Sequence, residues 1–74
     1  MFVFPSEKVV KQIRARYPTG TRIELISLDD AYSKLKAGDL GTVMGVDDAG
    51  QIMMKWDSGS MLSLIPGEDS FRIV

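Results

Sequence analysis

The chain has 74 residues, with nine lysines and arginines against ten aspartates and glutamates, and it contains neither histidine nor cysteine. A domain this small buries only about 60% of the surface its unfolded chain exposes, which leaves a thin core and little room for an enclosed active site. Without cysteine or histidine there is no disulfide framework, no thiolate nucleophile or metal cage, and no imidazole acid, base or ligand; the composition fits a reducing cytoplasm.

The apolar opening Met1-Phe2-Val3-Phe4 is cut off by Pro5. It falls short of the roughly 7–15 apolar residues of a signal peptide and the about 20 of a spanning helix, so a soluble, unprocessed, cytoplasmic protein without membrane association is expected. Ser6 is a suitable N-cap, and Glu7 to Tyr17 places Val9, Val10, Ile13 and Tyr17 within one arc of roughly 100°. Pro18 forbids continuation, so the helix should stop near Arg16 or Tyr17. At about 11 residues it is marginal alone, and its apolar arc is expected to dock on the rest of its own domain.

Charge divides along the chain. Residues 1–22 carry five basic residues against Glu7, a net +4, whereas residues 23–74 carry four basic against nine acidic, a net −5. Lys8, Lys11, Arg14 and Arg16 spread around the solvent side of the helix, and Glu7 is spaced to pair with Lys11. A solvated face is the preferred account, with these four as an alternative nucleic-acid-binding set. No overall basic footprint is present.

Thr21 to Leu28 alternates Arg22 and Glu24 with Ile23 and Leu25, which predicts a first strand. Asp29 to Gly38 is polar, carries Tyr32, and reads as a long loop. A second strand follows over Leu40 to Val46, where Gly41 and Gly45 mark a bulge or a close backbone approach. Asp47-Asp48-Ala49-Gly50 turns the chain into a third strand, Gln51 to Trp56. Asp57-Ser58-Gly59 turns it again into a fourth, Ser60 to Ile65. If Gly59 takes a positive φ in a three-residue loop, Trp56 pairs with Ser60 and Met54 with Leu62, so that Ile52, Met54, Leu62 and Leu64 share one face. Pro66 to Ser70 suits one 3₁₀ turn, and Phe71 to Val74 a short closing strand.

This order predicts a mainly β fold, a small SH3-like five-stranded barrel with one short N-terminal α-helix. Residues 1–20 form the helix and lead-in and residues 21–74 the barrel, as one domain. If the first hairpin pairs Val46 with Gln51, Met44 lies opposite Met53 and the same outer face continues to Met61. Such a soft apolar patch would be covered by the helix arc, the slightly favoured option, or by another subunit in a weak homodimer.

The segment Gly38-Asp39-Leu40-Gly41-Thr42-Val43-Met44-Gly45-Val46 looks like the KOW motif of ribosomal proteins and transcription elongation factors over about nine residues. A longer likeness runs from Tyr17-Pro18-Thr19-Gly20-Thr21-Arg22-Ile23-Glu24-Leu25 through Asp29-Asp30 and Gly41-Thr42-Val43-Met44-Gly45-Val46-Asp47-Asp48. It continues in Lys55-Trp56-Asp57-Ser58-Gly59-Ser60 and Leu64-Ile65-Pro66-Gly67-Glu68-Asp69-Ser70-Phe71. In these residues the chain resembles the bacterial and phage proteins grouped as domain of unknown function 4314. The resemblance implies a small, mobile-element-associated bacterial protein with no assigned activity. Outward Met53 and Met61 are more apolar than the pattern associated with that family. The ending Met54-Lys55-Trp56-Asp57-Ser58-Gly59 is also distantly similar to SH3-like, peptide-holding domains of eukaryotic ubiquitin ligases.

Asp29, Asp30, Asp47, Asp48 and Asp57 invite a divalent-cation reading, but no EF-hand spacing is present, and aspartates in tight turns ordinarily hydrogen-bond to their own backbone. No metal site, cofactor or catalytic set is therefore assigned. Gly38, Gly41 and Gly45 lack the following helix that a phosphate-binding loop requires. Trp56 either caps the core, the preferred reading, or lines a groove together with Tyr32. The resulting expectation is a non-enzymatic module binding a protein or basic peptide through Asp29, Asp30, Tyr32, Trp56 and Asp57. The alternative is a nucleic-acid accessory factor.

Overall fold

A computed structural model describes residues 6–28 and 34–74. The order is helix α1 (Glu7–Arg16), then strands β1 (Arg22–Ser27), β2 (Leu40–Val46), β3 (Ile52–Trp56) and β4 (Ser70–Ile73). The strands form one antiparallel sheet in the order β3-β2-β1-β4.

The helix begins where its cap predicts. Ser6 is extended, and its hydroxyl accepts from the Val9 amide at 3.3 Å. At the other end the Tyr17 amide still donates to the Ile13 carbonyl, and Pro18, which has no amide proton, follows. The apolar arc docks on its own sheet: Val10 is buried among Ile23, Leu25, Val43, Val46, Ile52, Met54, Trp56 and Leu64, with Ile13 and Tyr17 packed against that cluster. Tyr17 meets Phe71 of β4 edge to face, 5.5 Å between centroids. Only Val9 of the arc stays exposed.

Among the described residues the sheet holds four strands rather than five. Both ends of the expected β3 pairing are present, because Trp56 donates to the Ser60 carbonyl and Ile52 exchanges both backbone bonds with Leu64. The middle is not. There the Leu62 carbonyl accepts the Trp56 indole Nε1–H at 2.9 Å and the Leu62 amide donates to Ser60 Oγ, so the segment's backbone is spent on side chains instead of on Met54. Gly59 has φ of 98° in this turn, as the three-residue loop requires. Pro66 to Ser70 forms a turn closed on Ile65 by the Glu68 and Asp69 amides, not a 3₁₀ helix.

The first hairpin corrects a second expectation. Val46 pairs with Ile52, not Gln51, because the Asp47 carboxylate accepts both the Ala49 and the Gln51 amides at 2.9 Å and draws Gln51 into the turn. Gly45 then pairs with Met53 and Val43 with Met54, which leaves Met44 as the extra residue of a bulge. Met44 therefore does not stand opposite Met53.

Candidate interaction surface

Trp56 belongs to the core. Its side chain is 1% exposed, its indole N–H is satisfied by Leu62, and Gly41 lies so close that a Cβ there would come within 2.7 Å of ring atom Cε3. No ring face is left for a peptide groove. Asp29, Asp30 and Tyr32 lie outside the described residues.

Asp57 is exposed but engaged. Arg22 of β1 reaches across Thr42 of β2 and grips both Asp57 carboxylate oxygens, Nη1 to Oδ1 at 2.8 Å and Nη2 to Oδ2 at 2.6 Å, while Nη1 also donates to Thr42 Oγ1. These hydrogen bonds hold the Asp57 carboxyl below the usual carboxylate range against an opposing desolvation, with the guanidinium charge adding to the shift. The same pair raises the pKa of Arg22. Strand alternation places Arg22, Glu24 and Thr42 on the outer face, so this clamp straddles β1, β2 and the turn after β3.

Among the basic helix residues, Arg14 is also committed. Its Nε donates to the Val46 carbonyl and its Nη2 to Asp48 Oδ1, both at 3.1 Å, tying α1 to the first hairpin. Arg16 lies over the Tyr17 ring, 5.7 Å from its centroid. Lys8 and Lys11 are exposed, and among the described residues neither forms an ion pair, the spacing of Glu7 and Lys11 notwithstanding. A hollow opens on each side of Arg14. One, of about 490 Å³, is bounded by Glu7, Val10, Lys11 and Asp48. The other, of about 300 Å³, runs from Tyr17 and Thr19 over Gly45 to Met53.

Of the aspartates weighed as cation ligands, Asp47 acts on its own turn backbone, whereas Asp48 and Asp57 are held by Arg14 and Arg22. Asp39 accepts from the Lys36 amide and Asp69 from the Ile65 amide, as Asp47 does from its turn. The methionines differ. Met44 is 49% exposed, Met53 40% and Met61 64%, so the helix leaves them largely uncovered. Met53 extends toward Gly45, where a Cβ would meet its methyl at 3.2 Å. Met61 lies between Ser60, whose carbonyl accepts from Trp56, and Leu64, which pairs with Ile52.

Residues 6–74 match the protein family described as Domain of unknown function (DUF4314), which takes in α1 and all four strands. The chain belongs to this family. No curated protein matches it. Among the described residues no helix is long and apolar enough to cross a membrane. Arg14 and Asp57 are among the predicted site residues, but none of the three arginine clamps among the described residues, Arg14 to Asp48, Arg22 to Asp57 and Arg72 to Glu24, is a pairing that the sequence reading anticipates. The only sequence signal for them was the outward parity of Arg22 and Glu24.

Proposed function

We propose that this chain is a non-enzymatic protein-interaction module of a bacterial or mobile-element protein, built as an SH3-like unit in which the Ser60 to Leu64 segment stands in for the missing strand. The observation that carries this reading is the exposed methionine face. Met44, Met53 and Met61 are exposed outside the buried core, and Met53 lines a hollow walled by Tyr17 and Thr19. Unbranched thioether side chains adapt to irregular apolar surfaces, which suits a polypeptide partner. The partner's apolar side chains would lie on Met53 and Met61, with Lys55 and Arg14 at the margin. Asp29, Asp30 and Tyr32, read as loop residues from the sequence, belong to the proposal as a second contact for a basic segment, with Asp57 held to Arg22.

The test is site-specific photo-crosslinking in the native host, with a photoreactive residue placed at Met53, at Met61 and, for comparison, at Lys8. Crosslinks from positions 53 and 61 to one polypeptide, absent from position 8, support the reading. Crosslinks to nucleic acid, or equal labelling from all three positions, would overturn it in favour of the nucleic-acid alternative or of no specific surface. Met53→Gln with Met61→Gln should abolish the crosslink from a reporter at position 44 and leave the melting temperature nearly unchanged, since exposed substitutions usually shift stability by no more than about 0.5 kcal/mol.

A further inference from the structure

Among the described residues the fourth strand has a neighbour on one side only. The phase of its backbone follows from three bonds. Leu25 donates to the Asp39 carbonyl and Val43 to the Thr21 carbonyl, so the odd-numbered residues of β1 turn their polar groups toward β2. The Val74 amide donates to the Arg22 carbonyl at 3.1 Å, so Arg22 and Glu24 turn toward β4, and with the register Glu24 to Arg72 the groups of Arg72 and Val74 face β1. The amides and carbonyls of Phe71 and Ile73 therefore point away from the sheet, and among the described residues nothing pairs with them. Two donors and two acceptors alternate along this edge at the spacing of an extended chain.

Side chains around the edge specify more. Leu40, Glu24 and Arg72 stand directly across from one another on the outer face, so the next strand would set one side chain beside Arg72. Arg72 uses Nε and Nη2 on a single oxygen, Glu24 Oε1, at 2.7 and 2.6 Å, which leaves Nη1 for a second carboxylate. Phe71 and Ile73 flank this position on the opposite face, with Ile73 half exposed. A second copy of β4 centred on Arg72 would set two arginines face to face, an unfavourable like-charge pair.

We infer that β4 is a second binding site, which takes an extended segment of a partner protein as an added strand with an acidic residue opposite Arg72 and apolar residues on either side of it. Backbone pairing at Phe71 and Ile73 supplies the affinity, and the row Glu24, Arg72 and partner carboxylate supplies the selection. This site is separate from the methionine face and does not depend on it.

The probes are two capped peptides, Thr-Val-Glu-Val-Thr and its Lys-centred counterpart, added to the full isotopically labelled chain and followed by amide hydrogen exchange. Without peptide, the Phe71 and Ile73 amides should exchange fast and those of Arg72 and Val74 slowly. The Glu-centred peptide should slow Phe71 and Ile73 by about tenfold at saturation, with weaker action by the Lys-centred one. Ile73→Pro removes one outward donor while sparing the ladder to β1, and should keep Arg72 protected but abolish the peptide effect. A charge swap, Glu24→Arg with Arg72→Glu, keeps the cross-strand pair and should reverse the peptide preference. No protection at Phe71 and Ile73 overturns the proposal, as does a swapped variant that still prefers the Glu-centred peptide. Concentration-dependent protection without peptide would assign the edge to a second copy and overturn it equally. Failure here leaves the crosslinking test of the methionine face unaffected.

Discussion

Gly41 shows how one atom constrains this core. It sits in β2 opposite Trp56, and an added Cβ would meet the indole at 2.7 and 3.0 Å and the Met54 methyl at 3.0 Å. The methionine can move, but the buried ring cannot without losing its bond to Leu62. Gly41→Ala should therefore cost about 1–3 kcal/mol by overpacking, read as a lowered denaturation midpoint with unchanged slope. Asp57 makes a different prediction at the same scale. Its folded-state pKa is depressed, so the folded protein binds fewer protons than the unfolded chain through the carboxylate range. The stability it contributes is present at neutral pH and is lost as pH falls through the folded value. Melts of Asp57→Asn and the parent should differ at neutral pH and converge in acid; a difference that stays constant would show that the Arg22 clamp is not the cause.

The helix offers the clearest contrast between apolar and ionic attachment. Val10 enters the core, whereas the Arg14 to Asp48 pair is solvent-exposed, with Asp48 fully open. Exposed pairs are worth about 0–1 kcal/mol, and burying two methyl groups without a cavity about 2 kcal/mol. Val10→Ala should thus lower the unfolding free energy more than Asp48→Ala, and removing residues 1–16 should lower it further by uncovering Val43 and Val46. A truncated protein with an unchanged melting temperature would show that α1 is not part of the folding unit. The bulge at Met44 belongs to this scale as well. It shifts the β2 to β3 register by one residue, and with it which methionines become neighbours.

For the whole molecule, charge placement separates the two functional classes. Arg14, Arg22 and Arg72 each sit on a carboxylate, so they offer less to phosphates than the sequence count implies. Non-specific nucleic-acid affinities fall at roughly 1–100 μM near physiological salt and weaken log-linearly as salt rises. Binding to mixed-sequence duplex or single strand should be no tighter than about 10 μM under those conditions. Gel shifts that showed submicromolar, steeply salt-dependent binding would favour Lys8, Lys11, Arg14 and Arg16 as the functional surface.

Local chemistry was enough to determine the helix, its Ser6 cap, its stop before Pro18, the four strands β1 to β4 to within one residue, and the Gly59 turn, because each depends on dihedral preference and periodicity within a few residues. It also favoured Trp56 as core, since Trp56 shares parity with Ile52 and Met54. Tertiary structure decided the rest. Whether Ser60 to Ile65 became a strand depended on competition between the indole of Trp56 and the backbone of Met54 for one carbonyl. The hairpin register depended on how many amides the Asp47 carboxylate captured. The open edge at Phe71 and Ile73 arose from which side of β4 faced β1, a matter of hydrogen-bond phase between segments some 50 residues apart, which no local pattern of side chains encodes.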